Sequence, residues 1–279
     1  MDVLIVGAGS MGTWFGESID ARVAFADVDA DAAEVAAAEI GGGVADLDGE
    51  TRYDVVCLAV PMSHVVESID DHAGRAERAI VDVSGVMGPP LEAMGERVSD
   101  LERVSLHPLF APERAPGSIA VVRDRPGPAT DEVLETLAER GNDLLETTAT
   151  EHDEAMETVQ ASTHAAVLSF ALAAESVPEG FETPVYERLR ALTEQVTEGT
   201  PRVYADIQDA FDGADAVADA ASEVAAADHD ELEELYREAS SRWREGESLD
   251  EDDGSTDGED RSTDGEDEST TGPTVGETE

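Results

Sequence analysis

The stretch VLIVGAGSMG, residues 3–12, places three glycines in G-x-G-x-x-G spacing directly after an apolar run. The apolar run predicts a buried strand, and residues 13–19 continue with the pattern of a helix. Gly7 permits a tight turn, Gly9 lets the backbone approach a pyrophosphate, and Gly12 lets the helix pack closely on the strand. A strand, this turn and a helix in that order predict a dinucleotide-binding fold.

Residues around the turn indicate which dinucleotide is bound. We expect Ser10 and Met11, at the start of the helix, to offer N–H groups to the pyrophosphate. Asp27 ends the second predicted strand, where its carboxylate accepts hydrogen bonds from ribose hydroxyls and repels a phosphate, which favours NAD over NADP. Val60 and Pro61, after the third strand, complete the predicted cofactor-binding set. A turn that binds nothing, or that binds FAD, remains an alternative.

The charge of the chain excludes whole classes of partner. It has 17 Lys+Arg, all of them Arg, against 66 Asp+Glu, for a formal net charge of -49. Such a chain repels nucleic acid and anionic membranes, because binding to either depends on basic residues. The composition is typical of proteins from salt-loving archaea. Because molar salt shortens the Debye length to about 3 Å, it screens the self-repulsion, and we expect the protein to depend on high salt.

Cysteine usage and the N-terminus indicate a location in the cell. The one cysteine, Cys57, lies in the apolar run 55–60, which predicts a buried thiol and excludes an intramolecular disulfide. We find no cleavable signal before the first strand and no apolar run near the roughly 18 residues that would span a bilayer. We predict a cytoplasmic protein without a metal site.

The order of patterns predicts an α/β fold of three parts. Residues 1–149 predict a Rossmann-type, doubly wound parallel sheet that binds the cofactor. Its expected strands are 3–6, 23–26, 55–59, 79–83, 103–106, 119–122 and one near Leu144. The S/T-x-x-D form of residues 150–153 predicts a helix start and opens an all-helical domain over residues 150–246. Residues 247–279 predict a disordered acidic tail, because they lack the apolar side chains that folding requires.

Two helices of the second domain have distinct apolar patterns. The run 155–174 is rich in Ala, Val and Leu and nearly free of charge, which predicts a helix buried on most sides. The last helix carries one apolar stripe, formed by Leu232, Leu235, Tyr236, Ala239 and Trp243. For the tail we favour a solvating role, with partner binding as the alternative.

Three later segments, together with the glycine turn, resemble one enzyme family. Residues 105–112, SLHPLFAP, are similar to the HPMFGP segment of prephenate dehydrogenases. Residues 152–153, HD, followed by residues 159–164, VQASTH, resemble the HD and VQxLTH pair of that family, and residues 201–208, PRVYADIQ, resemble its PELYADIQ segment. In order and spacing the chain therefore resembles the prephenate (prephenate/arogenate) dehydrogenase family, as a haloarchaeal-type member.

The resemblance implies an activity and roles for single residues. It implies NAD-dependent oxidative decarboxylation of prephenate to 4-hydroxyphenylpyruvate in tyrosine biosynthesis. His107 would be the catalytic histidine that accepts the substrate hydroxyl proton, and Ser84 would assist it, although the family's lysine nearby is absent. His164 would face the substrate and Glu113 would border the site. We interpret His152 as a capping or packing residue.

Several alternatives stay open at this stage. Some members of the family bind a substrate carboxylate with an arginine where this chain has Thr163, and the sequence does not choose among Arg114, Arg188, Arg190 and Arg202 as a replacement. An arogenate dehydrogenase, another two-domain 3-hydroxyacid or imine dehydrogenase, and a non-catalytic NAD-sensing module are alternative functions. The hydroxyacid and imine enzymes usually depend on a lysine, which this chain lacks. The apolar surface of the helical domain and the family resemblance imply a homodimer acting on a small molecule.

Overall fold

The structure is a computed structural model that describes the backbone of residues 1–252 and the side chains of residues 1–244. Its centre is an eight-stranded sheet in the order β3-β2-β1-β4-β5-β6-β7-β8. The strands are β1 (Asp2–Val6), β2 (Arg22–Ala26), β3 (Gly43–Val44), β4 (Tyr53–Leu58), β5 (Ala76–Asp82), β6 (Glu102–Pro108), β7 (Ser118–Arg125) and β8 (Asp143–Glu146). Every predicted strand is present, and only the two-residue β3, which is too short to show a period, was missed.

The sheet is mainly parallel, with one reversal that differs from the prediction. Strands β1 to β6 pair in parallel, β7 pairs antiparallel with β6, and β8 pairs parallel with β7. A parallel neighbour needs a long crossover, usually a helix. Residues 109–117 contain only the 3₁₀ turn Pro112–Arg114, so the chain turns back as a hairpin-like connection.

Helices cover both faces of the sheet. Those before residue 149 are α1 (Ser10–Ser18), α2 (Ala30–Ile40), α3 (Val65–His72), α4 (Gly88–Arg97) and α5 (Pro128–Glu139). Within β1, Val3 and Ile5 join one core while Leu4 and Val6 join the other, which is why the strand is apolar throughout. Cys57 is fully buried in the first of these cores, as predicted.

The chain continues as helices after the sheet. They are α6 (Ala149–Met156), α7 (Thr163–Ala173), α8 (Pro184–Thr197), α9 (Pro201–Ala210), α10 (Gly213–Ala226) and α11 (His229–Asp252), with a π-helical turn, Glu157–Ser162, between α6 and α7. Helix α6 begins two residues before the predicted start, because the hydroxyl of Thr148, not that of Thr150, accepts the N–H of Glu151. A threonine at the N-cap satisfies an N–H that the helix leaves free.

The apolar run 155–174 does not form the buried helix that we predicted. Its buried residues are Met156, Ala161 and Val167, whereas Leu172 is 89% exposed. The π-helical turn interrupts the run, and residues 1–244 supply too few neighbours to cover α7 on all sides. Helix α11 carries the predicted stripe, and its Tyr236 and Trp243 are largely exposed.

The described chain forms two compact units, one over residues 1–221 and a second that begins at Ser222 and contains α11. The sheet ends at Glu146 and α6 begins at Ala149, next to the predicted boundary at residue 149, while the three-part division stays a prediction. Helix α11 runs to Asp252, past the predicted start of the tail, and residues 253–279 lie outside the described residues. None of the helices described here has the length and apolarity needed to cross a membrane.

Candidate active site

The glycine turn lies where the strand order reverses, between β1 and β4. Gly7 has a φ of 101°, and a Cβ there would lie 2.3 Å from the carbonyl oxygen of Ala59. A Cβ on Gly12 would lie 2.0 Å from the carbonyl oxygen of Gly7, whereas a Cβ on Gly9 would meet nothing within 4 Å. Gly7 and Gly12 are thus needed by the fold, and Gly9 faces open space at the N-terminus of α1. That space and the N–H groups of Ser10 and Met11 fit a pyrophosphate.

Asp27 joins the second strand to this turn. Its carboxylate accepts the N–H of Ala8 at 2.6 Å and the N–H of Asp29 at 2.9 Å. These bonds aim the carboxylate at the rim of the turn, and its remaining lone pairs can accept ribose hydroxyls. The residues around the turn therefore fit a dinucleotide.

His107 stands near the end of β6, and its ring is buried rather than exposed at the surface. Its Nδ1 lies 2.9 Å from Nε2 of His152, and its Nε2 lies 3.2 Å from the amide nitrogen of Gln160. The two imidazoles meet edge to face, with ring centroids 5.1 Å apart. The side chain is therefore held at both nitrogens, by α6 on one side and by the π-helical turn on the other.

The run of hydrogen bonds continues from His152 to the N-terminus of α4. Nδ1 of His152 lies 2.8 Å from Asp153, whose two carboxylate oxygens accept the N–H groups of Met87 and Gly88 at 3.1 and 2.9 Å. Burial raises the pKa of Asp153, but the bonds from His152, Gly88 and Met87 outweigh burial and the net pKa is lowered. Asp153 is thus a carboxylate anchored at a helix N-terminus, where the helix dipole favours negative charge.

These contacts fix the tautomer of both histidines. An ionised Asp153 can only accept, so Nδ1 of His152 carries the proton and its Nε2 accepts from Nδ1–H of His107. Nε2 of His107 is then left as a hydrogen-bond acceptor, and the Gln160 amide donates to it. Burial and then His152 lower the pKa of His107 to about 3, against an opposing effect of Asp153, so the ring is neutral near pH 7.

Ser84 does not bond to His107 in the described structure. Its hydroxyl donates to Asp82 at 2.7 Å, and its N–H donates to the same oxygen. Asp82 is fully buried beside Ser105 on β6, and burial raises its pKa to about 6, an effect that the bonds from Ser84 reduce. Ser84 therefore contacts a buried carboxyl group that interacts electrostatically with His152.

The residue that faces Nε2 of His107 is Gly85. A Cβ at this position, where φ is 93°, would lie 3.3 Å from that nitrogen and 3.7 Å from the sulfur of Met62. Met62 follows Val60 and Pro61 directly, in the segment after β4, so the segments after β4 and β5 meet beside His107. The predicted cofactor and catalytic residues thus border one edge of the sheet.

The other predicted residues lie farther out. His164 is half-buried on α7, its ring packs edge to face on Tyr204 with centroids 4.8 Å apart, and burial lowers its pKa. No hydrogen bond within residues 1–244 joins it to His107, and its Nδ1 is buried without a partner there. Glu113 and Arg114 are exposed on the turn after β6.

Candidate arginines differ in their ion pairs. Arg190 lies 3.3 Å from Glu194, and Arg202 lies 4.0 Å from Asp206. Neither Arg114 nor Arg188 makes an ion pair within the described part of the chain. Among these four candidates, Arg114 and Arg188 therefore keep their charge uncompensated within residues 1–244.

The sequence interpretation missed three residues that contact the centre of the site. His152 was interpreted as a cap or packing residue, and neither Asp153 nor Gln160 was given a role. All three lie in the segments HD and VQASTH that carry the family resemblance, and this was the signal that could have identified them.

Known proteins are similar to this chain in sequence and in fold. No family model matches the sequence. A 4-amino-4-deoxyprephenate dehydrogenase of Streptomyces pristinaespiralis is 33% identical over 239 residues, covering 77% of this chain and 78% of the relative.

Solved structures share the fold. The prephenate dehydrogenase of A. aeolicus, in complex with hydroxyphenyl propionate and NAD+, matches with a TM-score of 0.66 at 17% identity, over 90% of this chain and 96% of that chain. The arogenate dehydrogenase of Synechocystis matches with a TM-score of 0.56 at 15% identity, over 88% and 99%. The identity and coverage of the curated relative establish more than a fold: this chain is a dehydrogenase and belongs to the prephenate dehydrogenase family.

Proposed function

We propose that this protein catalyses the NAD-dependent oxidative decarboxylation of prephenate, with His107 as the general base. The observation that carries the proposal is the run of hydrogen bonds in which His107 donates to His152 and His152 donates to Asp153, a carboxylate that also accepts two N–H groups at the N-terminus of α4. It leaves Nε2 of His107 as an acceptor at the sheet edge that also holds the glycine turn.

The glycine turn supports NAD as the cofactor. We expect Gly7, Gly9, Ser10, Met11 and Gly12 to hold the pyrophosphate and the carboxylate of Asp27 to hold the adenosine ribose. Val60 and Pro61 would border the nicotinamide half. When bound, NAD accepts the hydride from the carbinol carbon of the substrate ring.

His107 carries the proton chemistry of the reaction. Its Nε2 takes the proton of the carbinol hydroxyl as the hydride leaves the carbinol carbon. The positive charge that develops on the imidazole of His107 is stabilised by His152 and Asp153. The bond from the substrate ring to its carboxylate then breaks and releases carbon dioxide, and the electron pair makes the ring aromatic. The proton on His107 returns to the ring oxygen, which gives 4-hydroxyphenylpyruvate.

The substrate carboxylates need hydrogen-bond donors from the residues around the site. We expect His164, with its unpartnered Nδ1, to contact the substrate, and Arg114 or Arg188 to bind a carboxylate. Glu113 would border the same opening. Ser84 would act through Asp82 rather than on His107 directly.

A second candidate substrate is the amino analogue 4-amino-4-deoxyprephenate, which the curated relative from Streptomyces favours. An amine replaces the carbinol hydroxyl there, and a neutral amine can donate to Nε2 of His107 in the same way. Arogenate, which differs in the side chain, is the third substrate to compare.

The test is an assay of NADH formation in molar KCl with each of the three substrates. We expect turnover of prephenate, and a decrease of kcat by about 10²- to 10⁴-fold in His107→Asn, the range typical of a lost general base. NAD affinity, measured by titration, should stay unchanged in this variant. Equal rates in the two proteins would exclude His107 as the base, and preference for the amine would select the second candidate.

We also propose that the protein works as a homodimer in a cytoplasm of high salt. The exposed apolar side chains of α7 and the following loop, such as Leu172 and Phe181, support a second copy of the chain as their cover. Size-exclusion chromatography in molar KCl tests this, and a monomer at all concentrations would contradict it.

A further inference from the structure

Gln160 ends the run of hydrogen bonds at the one nitrogen that the reaction needs. Its amide nitrogen lies 3.2 Å from Nε2 of His107, while its amide oxygen is buried without a partner within residues 1–244. A buried acceptor left unpaired costs free energy, so natural structures rarely keep one without a use. The amide nitrogen of Gln160 is therefore bonded to the proposed base, while its amide oxygen can still accept a hydrogen bond.

The position of Gln160 is fixed by the π-helical turn. The hydroxyl of Ser162 lies 2.9 and 3.0 Å from the carbonyl oxygens of Glu157 and Gly213, between which its one proton is shared. The hydroxyl of Thr163 donates to the carbonyl oxygen of Thr158 at 2.9 Å. A Cβ on Gly213 would lie 2.3 Å from the carbonyl oxygen of Glu157, so α10 begins in close contact with this turn. Short π-helical segments often occur at functional sites.

The Gln160 amide and the substrate hydroxyl compete for the same nitrogen of His107. A neutral imidazole offers one lone pair at Nε2, and in the described structure the amide N–H of Gln160 occupies it. A substrate hydroxyl that gives its proton to His107 must donate to the same lone pair. The amide therefore has to leave Nε2 when the substrate arrives.

We propose that Gln160 is a placeholder for the substrate hydroxyl: it caps Nε2 of His107 in the free enzyme and donates the same N–H to the carbinol oxygen in the substrate complex. This rests on the proposed function. At the carbinol oxygen the N–H stabilises the negative charge that develops as the proton moves to His107. The free amide oxygen can meanwhile accept from another donor of the substrate or a water molecule.

A pH test of His107 must take account of the titratable groups around it. His152 and Asp153 of α6 act on His107 electrostatically, and Asp82 of β5 interacts electrostatically with His152. The Gln160 donor stabilises the unprotonated nitrogen, so its removal should raise the pKa of His107 while these neighbours stay in place.

The experiment compares Gln160→Leu with Gln195→Leu, the same change at an exposed position on α8. In protein labelled with ¹⁵N-histidine, NMR titration of His107 needs neither cofactor nor turnover. We expect its pKa to rise by about half a unit or more in Gln160→Leu. Steady-state assays should show kcat reduced about tenfold, with the acid limb of the pH profile of kcat/KM moved upward and NAD affinity unchanged. Gln195→Leu should match the wild type in every measurement.

The outcomes separate the two proposals. Wild type that turns over neither prephenate nor its analogues contradicts the proposed function, whatever Gln160 does. Active wild type with an unchanged His107 pKa and unchanged kcat in Gln160→Leu overturns the placeholder role. Should that variant unfold, Gln160→Asn keeps the amide but withdraws it by one methylene, and the same shift is expected there. An unshifted pKa in Gln160→Asn would equally overturn the proposal.

Discussion

The sheet and the helical segment that follows it treat apolar residues in opposite ways. In β1 and β4 the central residues are fully buried, because helices cover both faces of the sheet. In α7 only Val167 is buried, and large side chains such as Leu172 stay exposed. Other apolar side chains of the helical segment, at Met156, Ala161, Ile207 and Phe211, are buried because they join one of the two cores of the sheet.

Stability and chemistry therefore depend on different parts of the molecule. The sheet contains the centre of both cores and offers a rigid edge for the glycine turn and His107. The helical segment has no closed core, but it supplies the groups that orient His107. We therefore expect substitutions in the sheet to act on the free energy of unfolding, and substitutions in the helical segment to act on assembly and turnover.

We expect the largest difference in stability between one substitution in the sheet and one in the helical segment. Leu4→Ala removes a fully buried side chain from β1 and should lower the free energy of unfolding by about 2–5 kcal/mol. Leu172→Ala on α7 should change it by less than about 0.5 kcal/mol in the monomer. Chemical denaturation in molar KCl measures both. Equal losses at low protein concentration would refute the contrast, whereas a loss at Leu172 that grows with concentration would indicate a dimer.

A buried carboxyl group at the end of β5 makes the stability of the sheet depend on pH. The pKa of Asp82 is raised from 3.8 to about 6 by burial, so between these values the folded protein keeps a proton that the unfolded chain releases. The free energy of unfolding should therefore fall as pH rises through this interval, by about 3 kcal/mol in total. Asp82→Asn should remove this contribution.

Denaturation of wild type and variant from pH 4 to pH 7 at constant salt isolates that contribution. Asp20→Asn, at an exposed position between α1 and β2, serves as the control. Parallel curves for wild type and Asp82→Asn would show that Asp82 ionises normally in the folded protein.

We expect the smallest effect at the glycine turn, where a substitution should change cofactor binding without changing stability. Gly9→Ala adds a methyl group to open space and should leave the unfolding temperature unchanged. It should weaken NAD binding about tenfold, or ~1.4 kcal/mol, because the methyl group occupies the approach of the pyrophosphate. Titration with NAD in molar KCl measures this, with Gly74→Ala, also in open space, as the control. Undiminished affinity would argue against pyrophosphate binding at Gly9.

Some features of the fold and the site were predicted from the sequence, and others were not. The strands around Gly7 and His107 were predicted because each depends on a local apolar run followed by a turn. The reversal at β7 was missed, although the short connection of residues 109–117 excludes a helical crossover. Ser84 was expected to assist His107, but one residue of offset in a tight turn aims its hydroxyl at Asp82 and leaves Gly85 facing the ring. For the homodimer, the tail and the individual site roles, the sequence interpretation stays a prediction.

The dinucleotide-binding fold and the position of His107 at the edge of the sheet could be predicted from the sequence alone, because strand, glycine and helix signals act between near neighbours in the chain. Only the tertiary structure decided that Asp153, His152, His107 and Gln160 form one directed run of hydrogen bonds. These residues come from three elements separated by up to 53 positions, and the π-helical turn rotates Gln160 away from where regular helical spacing would put it. Such contacts depend on side-chain direction in three dimensions, which a one-dimensional pattern does not encode.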